Sequence, residues 1–271
     1  MDVGLAPLEL LYEEEGLPGA PLPDELAAAY PGRIGFDAPR VFANFVSTLD
    51  GVVAIPSLPQ SNKLIAAGSG ADRFVMGLLR ACADAVVVGS GTVAASPGGR
   101  WTPEQAWPSA AGAFAALRDR LGLRPQPEVV VLSGSGAVDP SQPLFEAGAV
   151  LLTTDVGRTL LGDRLPSAST LVSLGPGAEI DPRAALGALR ARGHERILHE
   201  GGPHVIGSFF AAGVVDELFL TVSPLLTGRS LLEPRLALVE GADLLPGRAT
   251  RLTGVRRDAS HLFLRFEILP G

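Results

Sequence analysis

Short apolar runs recur along most of the chain, and each stops at a glycine or a polar residue. The clearest run, Ala85-Val86-Val87-Val88, ends at Gly89. Apolar residues at successive positions are typical of a strand that is buried on both faces of a parallel sheet. The same pattern predicts strands at residues 41–46, 84–88, 128–132, 149–154, 170–174, 196–199 and 215–224.

Segments with helical periodicity separate these strands. Within residues 71–83, the apolar positions Phe74, Val75, Leu78 and Leu79 lie on one helical face. Comparable segments predict helices at residues 110–121, 182–192 and 204–212. Strands that alternate with helices in this way indicate an α/β domain with a mostly parallel central sheet and helices on both faces.

The two ends of the chain depart from this alternation. Residues 262–268 alternate apolar and polar positions, which predicts an antiparallel edge strand and hence an antiparallel C-terminal part of the sheet. Residues 1–39 contain two segments, 8–15 and 24–30, that we interpret as short helices. We therefore divide the chain into an N-terminal extension, residues 1–39, packed on one domain, residues 40–271.

Composition and charge argue against several classes of protein. The 22 basic and 29 acidic residues give a formal net charge of −7, which argues against nucleic acid as the main partner. The single cysteine, Cys82, excludes an intramolecular disulfide and a cysteine-rich zinc site. The single lysine, Lys63, follows no glycine-rich loop, which excludes a P-loop hydrolase.

Signals for membranes, export and metals are absent from the sequence as well. No segment approaches the ~18 successive apolar residues that span a bilayer, and the N-terminus lacks a basic segment followed by an apolar one. The four histidines form no H-E-x-x-H motif, and the chain has no G-x-S-x-G elbow. We expect a cytoplasmic protein with neither a membrane nor a metal as partner.

Two glycine turns follow predicted strands and precede predicted helices. Gly89-Ser90-Gly91-Thr92 fits the start of G-x-G-x-x-A, and Glu200-Gly201-Gly202 is the second turn. Backbone N–H groups in such turns can approach a pyrophosphate at a helix N-terminus. The acidic residue that a dinucleotide fingerprint places about 20 positions later is missing, so ordinary strand-to-helix turns remain the alternative. If both turns bind phosphate, one elongated ligand can span them.

A third polar cluster, Ser47-Thr48-Leu49-Asp50-Gly51, ends the strand at residues 41–46. Its Asp50 is a candidate proton donor, or a residue that orients a polar ring. An Asp-Gly turn without a functional role fits the same residues.

These segments follow one another in an order that resembles the pyrimidine reductase family. The motifs are S-x-L-D-G, L-R-A-x-x-D-A, V-V-G-x-x-T-V, E-G-G and V-D-E-L with P-x-L-x-G, at residues 47–51, 79–85, 87–93, 200–202, 215–218 and 224–228. This family is the reductase half of the bacterial bifunctional riboflavin-biosynthesis deaminase/reductase and has a dihydrofolate-reductase-like fold. The chain most resembles stand-alone actinobacterial-type members, and it lacks the zinc signature of the deaminase.

The resemblance implies an enzyme that transfers a hydride from NADPH to a pyrimidine-type substrate. The substrate that it implies first is 5-amino-6-(5-phosphoribosylamino)uracil, and the enzyme is expected to be a homodimer. It implies Asp50 beside the reacting centre, and a phosphorylated heterocycle bound by Asn44, Arg80, Arg100 and Glu200. The cofactor residues that it implies are Val46, Ser47, Gly89, Gly91, Thr92, Ser96, Gly201, Gly202, Pro203, His204, Val205 and Ile206. Topology alone adds Ser133 and Thr154, which lie at later strand ends.

Departures from the family pattern keep other functions open. The pathway enzymes usually have Ser-x-Trp where this chain has Leu64-Ile65-Ala66, and an aspartate where it has Ser96. A dihydrofolate or pterin reductase and a catalytically inactive NADPH-binding relative therefore remain alternatives. A Rossmann dehydrogenase that uses the first glycine turn alone is a third.

Overall fold

The computed structural model describes residues 3–229 and 232–270, so the outermost residues of both predicted units lie outside it. Its strands are β1 (Glu9–Glu13), β2 (Arg40–Ser47), β3 (Ala85–Gly89), β4 (Glu128–Ser133), β5 (Val150–Thr153), β6 (Thr170–Ser173), β7 (Arg196–His199), β8 (Glu217–Val222), β9 (Thr250–Asp258) and β10 (His261–Ile268). Its α-helices are α1 (Asp24–Ala29), α2 (Ser61–Ile65), α3 (Gly70–Cys82), α4 (Ser90–Ala95), α5 (Pro103–Ala106), α6 (Ala111–Arg120), α7 (Pro143–Glu146), α8 (Asp155–Leu161), α9 (Pro182–Ala191) and α10 (Pro203–Ala211).

These strands form one sheet in the spatial order β1-β9-β10-β8-β2-β7-β3-β4-β5-β6. Neighbours from β8 to β6 run parallel. The pairs β8–β10, β10–β9 and β9–β1 are antiparallel. The predicted fold class is confirmed: an α/β fold with a mostly parallel sheet and an antiparallel part built by the last strands.

Helices cover both faces of the sheet. Successive residues of a strand point to opposite sides, so a strand that is apolar throughout has two faces to bury. In β3, Val86 and Val88 pack in the core that α3 and α6 close, whereas Val87 packs in the core beneath α9 and α10. This two-sided burial explains the uninterrupted apolar run in the sequence. Within the described ranges, no helix has the length and apolar character that a membrane crossing requires.

The predicted helix over residues 8–15 is wrong, because Glu9–Glu13 is strand β1. This strand lies at the edge of the sheet, antiparallel to β9. Glu13 binds the buried Arg256, and Glu9 binds Arg257, across the two strands. The partners lie at the other end of the chain, so local periodicity carried no signal for this pairing. The N-terminal extension thus shares the sheet with the rest of the protein.

The predicted edge position of the C-terminal strand is also wrong. β10 lies between β8 and β9, and the edge belongs to β1. The sequence pattern missed β9 because arginines interrupt its apolar positions. Arg256, one of these, is buried with its guanidinium 4.0 Å above the Tyr30 ring, a position that its sequence neighbours do not reveal.

Candidate active site

The parallel strands bring their carboxyl ends to one edge of the sheet, which is where ligands bind in open α/β folds. The three turns predicted to carry chemistry follow β2, β3 and β7, and β7 lies between the other two. His199, at the end of β7, is in register with Ala43 on one side and Val87 on the other. The topology therefore gathers the three turns at one edge.

The two glycine turns lie against each other at this edge. A methyl group on Gly202 would come within 3.6 Å of the Thr92 hydroxyl oxygen. A methyl group on Gly89 would come within 2.9 Å of a Val205 methyl carbon. Because the two turns approach so closely, a single elongated ligand can contact both.

The helices after these turns begin without capping side chains. Gly89 and Gly202 are the N-cap residues of α4 and α10, and no described side chain accepts a hydrogen bond there. Among the other described helices, α3, α5, α8 and α9 have a capping side chain, such as Ser69 at α3 and Thr154 at α8, and α1, α2, α6 and α7 have none. The N–H groups and the positive end of the nine-residue α10 therefore make this edge suited to an anion.

Asp50 ties the loop after β8 to the loop after β2. Its carboxylate accepts the Gly228 N–H at 2.7 Å and the Thr227 N–H at 3.3 Å, and the Thr48 hydroxyl donates to it as well. The hydrogen bond from Thr48 is the main cause that lowers the pKa of Asp50. Asp50 is therefore anionic at neutral pH, which favours orienting a group over donating a proton itself.

Arg80 and Glu200, both predicted to contact the substrate, bind each other. Two guanidinium nitrogens of Arg80 lie 2.9 Å and 2.6 Å from the two Glu200 carboxylate oxygens. A third nitrogen donates to the Thr102 carbonyl at 3.3 Å. The two side chains are only 7% and 8% exposed. The pair fixes α3 to the turn after β7, and Glu200 neutralises the charge of Arg80.

The other predicted substrate residues lie in different surroundings. Asn44 is half-buried on β2 and lines a small cavity with Val75 and Thr221. Arg100 is exposed in the loop after α4, where its backbone N–H donates to Gln105. The structure thus brings Asn44 to the sheet and leaves Arg100 at the surface.

Most of the predicted cofactor residues surround the glycine turns, but several face inward. Ile206 is fully buried in the core, so it positions α10. Ser96 ends α4, away from the turn that begins it. Thr154 donates to the Gly134 carbonyl at 2.7 Å and caps α8, so its hydroxyl is used by the fold. Exposed or half-buried positions at the turns are Gly91, Thr92, Gly202, His204 and Val205.

Several buried polar atoms at this edge have no hydrogen-bond partner among the described residues. They are Ser133 Oγ, His199 Nε2, Ser223 Oγ and Thr227 Oγ1. His199 accepts the Gly201 N–H at Nδ1, 3.2 Å away, which leaves the proton on Nε2. Burial lowers the pKa of His199 to about 3, so the ring is neutral. Buried polar groups are ordinarily satisfied, and these atoms therefore mark places that a polar ligand suits.

Asp72 was missed in the sequence, although it lies against this edge. Ser69-x-x-Asp72 matches a helix capping box, in which the acidic side chain binds the N-cap N–H. Here the Ser69 hydroxyl does accept the Asp72 N–H at 3.0 Å, but the Ser69 N–H donates to Ala66. Thr221 of β8 lowers the pKa of the Asp72 carboxyl, against the larger effect of its burial. The sequence does carry one signal that Asp72 is buried: it lies on the apolar face of α3.

Burial of Asp72 predicts a pH-dependent change in stability. Burial raises the pKa of this carboxyl from 3.8 to about 6. The folded state thus binds the proton more tightly than the unfolded state, and stability falls as pH rises from about 4 to about 6. Asp72→Asn removes this cost and should stabilise the fold by about 3 kcal/mol above pH ~6. Urea unfolding at about pH 4 and about pH 8 checks this, and a gain of the same size at both pH values would contradict it.

Comparisons with known proteins place this geometry in a family. The model of the RibD C-terminal domain matches residues 39–261. A protein of Archaeoglobus fulgidus named 2,5-diamino-6-ribosylamino-4(3H)-pyrimidinone 5′-phosphate reductase is 27% identical over 192 residues, which are 70% of this chain and 82% of that protein.

Solved structures agree on the fold. A pyrimidine reductase-like protein from Corynebacterium diphtheriae superposes with a TM-score of 0.68 at 22% identity, over 86% of this chain and 93% of that one. RibD of Acinetobacter baumannii gives a TM-score of 0.61 at 20% identity, over 86% of this chain and 59% of the longer RibD chain. With the family model matched over most of its length, the chain belongs to the RibD C-terminal domain family of pyrimidine reductases.

Proposed function

We propose that this chain is an NADPH-dependent reductase of a phosphorylated pyrimidine, acting in the riboflavin pathway or close to it. The observation that carries the proposal is the contact between the two glycine turns, where a methyl group on Gly202 would lie 3.6 Å from Thr92. A pyrophosphate between two uncapped helix starts is bound by backbone N–H groups and needs no lysine. The name of the archaeal relative supports the reductase chemistry.

The residues at the edge fit a dinucleotide. Gly91 and Gly202 leave room for the pyrophosphate, since a methyl group on Gly91 would meet nothing within 4 Å and one on Gly202 only the Thr92 hydroxyl oxygen, at 3.6 Å. Gly89 and Gly201 instead allow close packing of Val205 and His199, which would lie 2.9 Å and 2.7 Å from such methyl groups. The neutral His199 ring and the buried hydroxyl groups that have no described hydrogen-bond partner suit the amide and sugar parts of such a ligand. NADPH, when bound, supplies the hydride, and the protein orients the partners and sets the electrostatics.

On the substrate side, reduction of an imine-like centre requires a hydride on carbon and a proton on nitrogen. In this proposal the anionic Asp50 orients a water that supplies this proton, and its hydrogen bonds hold the loop at residues 227–228 in position. The Arg80–Glu200 pair orders the adjoining turn. The reaction consumes one NADPH and one proton for each carbon–nitrogen double bond that is reduced.

The direct test is NADPH oxidation in the presence of candidate substrates. The 5′-phosphates of the ribosylamino-diaminopyrimidinone and the ribosylaminouracil are each mixed with the protein and NADPH, and absorbance of the reduced nicotinamide is followed. Turnover with either ring, and none without it, is the expected result. Calorimetry that shows no NADPH binding would overturn the proposal.

Asp50→Asn separates the two roles of this carboxylate. The variant keeps the size of the side chain and removes its charge, so we expect turnover to fall about tenfold and NADPH affinity to stay unchanged. Removal of a group that itself donates the proton costs about 10²–10⁴-fold. Steady-state rates at neutral pH therefore distinguish an orienting role from proton donation. A fall in turnover beyond about 10²-fold would assign proton donation to Asp50.

A second candidate, a dihydrofolate or pterin reductase, is favoured by one observation. The substrate phosphate of the riboflavin pathway needs cations, but Glu200 already neutralises Arg80, and Arg100 is exposed. A pterin lacks that ribose phosphate. Dihydropterin as a third substrate in the same assay decides between the two functions. A homodimer and a cytoplasmic location remain predictions of the family resemblance, and light scattering checks the first.

A further inference from the structure

His199 is the last residue of β7, directly before the second glycine turn. Its side chain is fully buried on the face of the sheet that α10 covers. The centroid of its ring lies 4.7 Å from that of Phe209, a residue of α10. The imidazole therefore lies between the strand that leads into the turn and the helix that follows it.

The backbone hydrogen bonds show where the chain leaves the sheet. The Glu200 N–H still donates to the Val87 carbonyl of β3, at 2.8 Å. The next N–H, that of Gly201, donates instead to Nδ1 of His199, 3.2 Å away. A buried N–H group needs an acceptor, and here a side chain supplies it in place of the neighbouring strand. His199 thus provides the acceptor at the residue where the backbone turns out of the sheet.

The imidazole also fills the space beside the turn. A methyl group on Gly201 would lie 2.7 Å from Cε1 of His199 and 3.3 Å from Cβ of Val205. From the other face of the sheet, Arg80 of α3 binds the Glu200 carboxylate. The turn is therefore fixed on two sides, by an ion pair at Glu200 and by a neutral ring at Gly201.

We propose that His199 is a positioning residue for the cofactor: by accepting the Gly201 N–H, it holds the turn in the conformation that presents its other N–H groups to the pyrophosphate. This inference deepens the proposed function and rests on it. With the Gly201 N–H bound inside the protein, the N–H of Gly202 and the first ones of α10 are left for a phosphate. Without the acceptor, the peptide between Glu200 and Gly201 is free to rotate, and the order of these donors is lost.

The test measures the binding of NADPH and of 2′-phospho-ADP-ribose, which keeps the pyrophosphate and lacks the nicotinamide. His199→Leu retains an apolar side chain in the core but has no acceptor, and we expect it to bind both ligands at least about tenfold more weakly. His199→Asn has its amide oxygen at the place of Nδ1, so it should bind 2′-phospho-ADP-ribose within about threefold of the wild type. Calorimetric titration measures both ligands.

Two further measurements separate positioning from a general loss of stability. His194→Leu is the matched control, because His194 is also buried, at 4% exposure, but lies before the opposite end of β7, where it binds Glu128. It should leave the affinity for both ligands unchanged. In steady-state assays, His199→Leu should raise the KM for NADPH and leave the KM for the pyrimidine within about twofold. If His199→Leu does not fold, His199→Gln replaces it, since its amide lies farther from the backbone than Nδ1 does.

Unchanged affinity of His199→Leu for 2′-phospho-ADP-ribose, or equal losses in His199→Leu and His199→Asn, would overturn the proposal. So would a loss of the same size in His194→Leu. In each of these cases the proposed function stands, provided that the wild type binds NADPH. A wild type that binds neither ligand would overturn both the proposed function and the role of His199.

Discussion

Gly202→Asp should weaken NADPH binding by at least about 100-fold, which corresponds to about 2.7 kcal/mol. Gly202 is the N-cap of α10 with φ −66° and ψ 172°, a conformation that an aspartate adopts without strain. Its side chain would bind the first N–H groups of α10 and place a negative charge where we propose the pyrophosphate. The fold should remain stable, since aspartate is a favoured N-cap residue. Calorimetric titration with NADPH measures the loss.

Gly202→Asn is the matched control for this charge. It has the same shape and the same preference for N-cap positions, but it is neutral. We expect it to lose less than about tenfold in affinity, since only the backbone cradle is partly filled. Equal losses in both variants would mean that the space at Gly202 matters and that no anion is bound there. Unchanged affinity in Gly202→Asp would place the cofactor elsewhere.

Arg80→Met should destabilise the fold by about 3–5 kcal/mol, because it leaves the buried Glu200 carboxylate without its cation. The native pair has two contacts, at 2.9 Å and 2.6 Å, and both side chains are more than nine-tenths buried. Methionine keeps most of the volume of the arginine side chain, so the loss reflects the unpaired charge more than a cavity. Urea unfolding of the purified variant measures this difference.

The double variant Arg80→Met with Glu200→Met tests the explanation. Removing both charges should recover most of the lost stability, since a buried ion pair often contributes little beyond an apolar pair of similar volume. A double variant that is less stable than Arg80→Met would show that the two side chains do not act as a pair. Cofactor affinity of the double variant reports whether the order of the adjoining glycine turn depends on this ion pair.

The parallel core was predictable because its signal is local. β3 carries valines on both faces, so a few neighbouring residues suffice to identify a strand that is buried on both sides. β1 and β9 could not be found in this way, because glutamates and arginines that bind across the two strands look like solvent-exposed residues in the sequence. Pairing between distant segments overrides the local pattern there.

The candidate site was predictable to the extent that topology determines it. Glycine turns after neighbouring parallel strands must meet at one edge, and Gly89 and Gly202 do so. The partners of charged groups were not predictable. Arg80 and Glu200 were both assigned to the substrate, and the structure pairs them with each other. Asp72 was not predicted: its spacing from Ser69 also fits helix capping, so the local sequence does not distinguish a buried carboxyl from an ordinary cap.

The pairing of β1 with β9 also bears on how the protein is made. Glu13 and Arg256, which bind across these strands, are 243 residues apart. During synthesis β1 emerges long before β9 exists, so this edge of the sheet cannot close until residues 250–258 have left the ribosome. Closing so long a loop is entropically costly and tends to come late. We expect the apolar residues of the N-terminal segment, such as Leu8 and Tyr30, to stay exposed until then, which makes the nascent chain a substrate for chaperones.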